Sequence, residues 1–330
     1  MQLALRVVFV MALGIAYAAY AAAIREQREP EPSDFSQPWL AGRLLLDGKN
    51  PYQEIGPNGP VRHQFPLIYP LPAAVVAMPF TRLPARTADV VFVGAGAALL
   101  AWILTRKTLR NPQLLMFVSV PMLVAAQTVQ WSPWFTAATA LPSLGFVYAA
   151  KPSVATAYLI AYPSRAAFIG AFGITLLTVL IWPWWVHAWL SGLQAATHMS
   201  APVVRFGGPL LLLALIRWRR PEARLLVALA CVPQTPVAYE ALPLFLLVRT
   251  IDEGLLLLVP AMLLPIVNPA GAGSYEQWMS TNGRWMIWLI YLPALLIILR
   301  RPNVGADDDL VCRLVNRLSA LRLDRAGATQ

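Results

Sequence analysis

Apolar runs near 20 residues long recur from one end of the sequence almost to the other, and no other feature limits its folding as strongly. "LALRVVFVMALGIAYAAYAAA" (3–23) is the first, and comparable runs cover 88–105, 112–129, 133–149, 166–189, 206–218, 223–235, 237–250, 254–268 and 284–299. Helices built from such runs suit a hydrocarbon core roughly 30 Å thick. Charged residues make up only 13% of the chain, half the roughly 25% of soluble domains. The expected fold is all-α, a polytopic transmembrane bundle with about 9–11 crossings by hydropathy. Two further apolar pieces, 67–80 and 152–162, are short or broken by proline. They suit segments that dip into the bilayer beside protein, where irregular backbone is tolerated.

The net charge of +10 does not point to nucleic acid, because the basic residues gather at segment ends. Arg106, Lys107 and Arg110 form one group, Arg217, Arg219, Arg220 and Arg224 a second, and Arg300 and Arg301 a third. Basic loops of this kind stay cytoplasmic. They place both termini inside, in a bacterial inner or plasma membrane, with membrane lipids as the surrounding partner. The side on which Lys151 falls is open: it depends on whether 152–162 is a half-helix or 112–149 contains a re-entrant piece. Cys231 and Cys312 imply no disulfide framework.

Four regions follow from this pattern. Residues 1–23 read as a signal-anchor helix rather than a cleaved signal peptide, because the apolar run is long for the latter. Residues 24–87 form a structured outer loop with interfacial helices. There "SDFSQPWLAGRLLLDGKNPY" (33–52) predicts a helix from Pro38 to Asp47, with Ser36 as its cap and Gly48 just beyond its end. Asn50-Pro51 stops propagation. Residues 88–299 are the bundle. Residues 300–330 form a basic cytoplasmic tail, with Leu310, Val311, Leu314, Leu318 and Leu321 at helical spacing. The acids Asp307, Asp308 and Asp309 complement the amino end of that helix.

The sequence contains no phosphate-binding glycine loop, no dinucleotide fingerprint, no Cys/His metal cluster and no nucleophile elbow. No metal site and no cofactor are expected. His63, His187 and His198 are scattered, and His187 follows the aromatic "IWPWW" of an interfacial belt. What remains is a set of carboxylates near the outer surface. Asp34 stands about ten residues beyond the first span. Glu240 interrupts an apolar run, where a charge is costly unless paired or facing a cavity.

Several phrases, in order, resemble glycosyltransferase family 87, the mannosyltransferase-like, polyprenyl-phosphate-dependent members of the GT-C superfamily. They are Asp34-Phe35, Leu45, Gly48, Asn50-Pro51-Tyr52, Tyr69-Pro70, Pro79 with Leu83-Pro84, "VQWSP" (129–133), "AAKPS" (149–153) and "PQTPVAYEALPLFLL" (233–247). The resemblance covers about residues 1–250. It implies transfer of a hexose, mannose in particular, from a polyprenyl-phosphate carrier to an outward-facing acceptor with inversion. The lipid-linked sugar is then a substrate, and no cofactor is needed. It also implies that Asp34 is the general base. Arg43, Lys49, Arg62, His63 and Lys151 are candidates to hold the leaving phosphate, with Tyr52, Gln130 and Glu240 as further substrate contacts. Gln130 equally suits a hydrogen bond between helices. Tyr239-Glu240-Ala241-Leu242 departs from the histidine that relatives often carry there. The competing reading is a transporter or flippase-like protein for a lipid-linked or small polar substrate. A third is an inactive relative acting as a scaffold.

Overall fold

The computed structural model describes residues 2–28, 31–63, 65–194, 200–271 and 273–304. The expected tail helix, Cys312 and His198 lie outside them. Helix α1 (Gln2–Gln27) is followed by a segment holding α2 (Ser36–Leu46), α3 (Pro51–Glu54) and α4 (Leu71–Ala77). Within it β1 (Ile55–Gly56) pairs in parallel with β2 (Val61–Arg62). Then come α5 (Ala85–Leu104), α6 (Val120–Gln127), α7 (Ser132–Ala138), α8 (Pro152–Ala161), α9 (Arg165–Ile181) and α10 (Trp185–Leu193). The last are α11 (Pro221–Cys231), α12 (Ile251–Val267), α13 (Tyr275–Met286) and α14 (Leu292–Arg300). Tighter 3₁₀ turns occupy Pro112–Val118, Pro142–Ala150, Gly208–Arg217 and Ala238–Leu247. A π-turn at Ile287–Tyr291 joins α13 to α14.

Among the described residues, three helices are long and apolar enough to cross a membrane: α1, α5 and the 26-residue run Tyr275–Arg300. A fourth is counted if α9 and α10, bent by 110° at their junction, form one span. Hydropathy at 112–129 and 133–149 suggested unbroken spans, but the structure divides each in two. Proline explains the division: it lacks the N–H needed inside a helix and suits the first turn of a new one. Pro112, Pro121, Pro133 and Pro142 each stand at the start of a segment. Pro183 lies between α9 and α10, at their bend. The apolar helical segments Leu71–Phe80, Pro152–Ala161, Gly208–Arg217 and Ala238–Leu247 are shorter than a crossing.

α1 and α5 lie antiparallel, joined by polar contacts at both ends. Arg6 donates to Thr105 Oγ1 (3.2 Å) and to the Trp102 carbonyl (2.7 Å). Arg25 pairs with Asp89 at 3.2 Å. Between these ends the backbones touch at small residues: a Cβ on Gly94 would stand 2.9 Å from Ala18 Cβ and 3.0 Å from the Gly14 carbonyl. Leucine at 94 therefore has to push the helices apart. Gly94→Leu is expected to lose about 1–3 kcal/mol, the usual scale for overpacking. A lowered midpoint in thermal unfolding of the detergent-solubilised protein, with Gly173→Leu as a control, checks this. Gly173 has open space around it.

α2 differs from its sequence-based outline. It starts at Ser36, inside which no capping bond is made, and Ser33 takes the capping part instead. Ser33 Oγ accepts from the Ser36 N–H at 3.1 Å, and Ser36 Oγ donates back to the Ser33 carbonyl at 2.5 Å. Gly48 follows the helix with φ of 71°, the left-handed conformation that glycine adopts without penalty. Asn50 caps α3 by accepting from the Tyr52 N–H. α2 packs on α4: Trp39 is buried and donates to the Phe80 carbonyl (3.1 Å), while Leu46 and Arg43 face outward.

Candidate active site

Asp34 is held by its neighbours on every side. Before it, Ser33 Oγ donates to Asp89 Oδ1 at 2.9 Å, in a buried contact that Arg25 completes from the other carboxylate oxygen. After it, Phe35 is fully buried and stacks on Phe92 with centroids 4.0 Å apart, beside Trp131 and Phe80. The Asp34 N–H donates to the Thr128 carbonyl at 3.2 Å. Its Oδ2 accepts from Gln130 Nε2. The backbone between those two partners is strained. Val129 has φ of 57°, a conformation that is an outlier for a β-branched residue. A buried Val129 held there turns Gln130 back toward Asp34. Strain of this sort costs on the order of 1–3 kcal/mol and tends to collect at functional sites.

The Asp34 carboxylate faces a cavity of about 1080 Å³. Small-molecule sites are commonly ~300–1,000 Å³, so this one has room for a sugar, a phosphate and part of a lipid chain. Its lining includes the polar and aromatic side chains of Gln37, His63, Tyr69, Lys151, Trp189 and Tyr239. It also includes the apolar Val120, Val124 and Leu264. Asp34 is open to the cavity and ringed by protein beyond it. That desolvation pushes its carboxyl pKa up, while the Lys151 charge and the Gln130 hydrogen bond pull it back.

Lys151 precedes α8 and reaches across to Glu240, which is 1% exposed in the 238–247 turn; Glu240 Oε1 accepts from Lys151 Nζ. The ammonium also stands 5.0 Å over the Tyr239 ring. Bonded to each other, these groups form a neutral unit in the cavity wall, which answers the cost of a charge in an apolar run.

His63 is positioned by the β1–β2 pairing, its N–H donating to the Gly56 carbonyl at 3.1 Å. Burial pushes its pKa down, so the ring is neutral near pH 7. Its Nδ1 lies 3.1 Å from Gln37 Nε2 and 3.2 Å from the Phe65 N–H, both donors. Gln37 is oriented by accepting from the Ile68 N–H at 3.2 Å. The Phe65 carbonyl lies 3.1 Å from the same nitrogen, so Nδ1 meets two donors and one acceptor. Trp189 of α10 lines the cavity and is fixed by donating to the Ile68 carbonyl at 2.9 Å.

Asp34, Lys151 and His63 line the cavity, and Gln130 and Glu240 stand off it, bonded to Asp34 and Lys151. Tyr52 stands behind the wall, its hydroxyl donating to the Tyr69 carbonyl at 2.9 Å. Arg43 lies over Trp39 at 5.1 Å, on the outside. Arg62 is exposed on β2, and neither arginine lines the cavity. Lys49 and His187 are exposed and likewise lie off it. Arg28, at the end of α1, lines the cavity where sequence reasoning had looked to Arg62. Ser33 and Asp89 were also missed. Asp89 could have been found by the rule that singled out Glu240, since it is an acid opening a membrane-length apolar helix. Among the described residues, no group of three His, Cys, Asp or Glu side chains could hold a metal. No family model, curated protein or solved structure matches the chain.

Proposed function

We propose that the chain is an integral-membrane glycosyltransferase that moves a hexose, mannose in particular, from a polyprenyl-phosphate carrier to an acceptor hydroxyl. One observation carries the reading: a carboxylate with a fixed hydrogen-bond partner, Asp34, and an ammonium, Lys151, face the same large, partly apolar cavity. In this reading the acceptor oxygen attacks the anomeric carbon as Asp34 takes its proton, the bond to the phosphate oxygen breaks, and configuration inverts. Lys151 and Arg28 stabilise the departing phosphate. Gln130 orients the base, the His63 ring and Gln37 meet sugar hydroxyls, and Trp189 offers an apolar contact to the sugar. The lipid follows the apolar side chains. As part of the same proposal, the shorter apolar segments complete a multi-pass bundle of about 9–11 crossings, with both termini cytoplasmic and the cavity facing outward.

The 110° bend between α9 and α10 favours the transporter as a second reading, because broken helices commonly line transport sites. A donor panel separates the two. Purified protein given polyprenyl-phosphate-mannose and a hydroxyl acceptor should form a mannoside of inverted anomeric configuration, read by proton NMR. Retained configuration, or no product from any polyprenyl-phosphate sugar, counts against transfer at this cavity.

The acid limb of the rate profile provides a further check. A base must be ionised, and burial raises the Asp34 pKa, so the limb should lie above the ordinary aspartate value of about 3.9. Gln130→Leu removes a bond that favours the ionised form, so it should move the limb to still higher pH. An unmoved limb would detach Gln130 from the base.

A further inference from the structure

Lys151 is not free to hold an anion while Glu240 occupies it. Lys151 lines the cavity with 17% of its side chain exposed, whereas the Glu240 side chain is 1% exposed behind it. Charged and titratable groups coupled to this pair come from several elements. Asp34 and Tyr69 belong to the segment between α1 and α5, Tyr158 to α8, Tyr239 to Glu240's own turn and Tyr291 to the π-turn. Arg205 acts on Glu240 as well, but its guanidinium donates to Ser200 Oγ (3.2 Å) and to the carbonyls of Ser200 (2.6 Å) and Gln234 (2.9 Å). Its Nη1 is buried without a hydrogen-bond partner, and Glu240 is bonded to Lys151 instead.

A ligand phosphodiester entering the cavity therefore competes with the Glu240 carboxylate for Lys151. If the phosphodiester wins, Glu240 loses its hydrogen-bonded cation and keeps only the more distant Arg205 charge, in a nearly dry setting. Such a group takes up a proton rather than stay ionised. We propose that Glu240 is a proton-operated latch on the lipid-phosphate subsite: the phosphodiester takes Lys151, and Glu240 leaves it by accepting one proton from solvent. The balance is one anion and one proton in, with no other bond made or broken. This rests on the reading of the cavity as a lipid-phosphate site. It adds a linkage: with one proton bound per ligand, affinity falls by up to about tenfold per pH unit as pH rises.

Calorimetry on the full chain in nanodiscs, in buffers of different ionisation enthalpy, measures both affinity and proton uptake. The probes are farnesyl phosphomannose and farnesyl methyl phosphate, diesters with no titrating group near neutrality, so any proton goes to the protein. Wild type should bind both with about one proton taken up per ligand. Glu240→Gln should bind about tenfold or more tightly at pH 7.5, as expected when a charge-assisted competitor is removed, and take up none. Lys151→Met/Glu240→Gln, in which neither partner is left as a lone charge, should lose the tight binding. Wild-type affinity and proton uptake in Glu240→Gln overturn the latch, as does failure of wild type and Glu240→Gln to bind either probe. A latch seen with the sugar-free diester, in protein that transfers no sugar, removes the transferase reading alone. Sugar transfer with no change in Glu240→Gln removes the latch alone.

Discussion

Asp34→Asn is expected to lower sugar transfer from polyprenyl-phosphate-mannose by about 10²-fold or more, the scale of a lost general base. Asparagine keeps the size of the side chain and an acceptor oxygen for Gln130, and the backbone bond to Thr128 is unaffected. The Phe35 anchor among Phe92, Trp131 and Phe80 is unaffected too. Expression, thermal stability and donor binding should therefore stay near wild type, so the loss falls on turnover. An Asp34→Asn enzyme as active as wild type would move the base elsewhere, with Glu240 the next carboxylate to test.

The largest expected loss of stability lies far from that site. Arg301 joins the end of α14 to the starts of α11 and α12. Its guanidinium meets Glu222 at 3.3 Å and Glu253 at 2.5 and 3.1 Å, and it donates to the Leu247 carbonyl at 2.8 Å. Glu253 also closes the capping box of α12 with Thr250. Breaking a buried ion pair by removing one partner commonly costs roughly 3–5 kcal/mol, because the remaining charge is stranded. Arg301→Met should fall at the lower end of that range, since Arg249 still reaches Glu222 at 2.6 Å and Glu253 is partly exposed. Differential scanning calorimetry in detergent measures this. An unchanged midpoint would mean that the cluster is only a solvated charge patch.

The elements differ in how far their sequence revealed them. α1, α5 and the run from Tyr275 to Arg300 follow from apolar length, and the structure forms them as long helices. The intervening segments escaped, because a hydropathy average is blind to the missing N–H of a proline; Pro121 and Pro142 divide the runs 112–129 and 133–149, which read as continuous. Around the cavity, the pair Asp34-Phe35 was picked out by its place in the ordered phrases of the resemblance, since an acid in a loop is not conspicuous by itself. Lys151 and Glu240 were each picked out as well, but nothing local says that residues 89 positions apart bond to each other. The left-handed Val129 carries no glycine or asparagine to announce it. Arg62 misled because a basic residue in a loop looks like any other; only the fold puts Arg28, and not Arg62, on the cavity.

The central claim is that a bond within the lipid-linked sugar is broken at this cavity, rather than the molecule being carried through it. Proteoliposomes containing wild-type protein, given polyprenyl-phosphate-mannose labelled with ¹³C in the sugar and ³²P in the phosphate together with a hydroxyl acceptor, test it in one measurement. The account predicts that the two labels part company, with ¹³C on the acceptor and ³²P on free polyprenyl phosphate, and that they stay together with Asp34→Asn. Doubly labelled lipid crossing the bilayer intact, with no separation of labels in wild type, would contradict it.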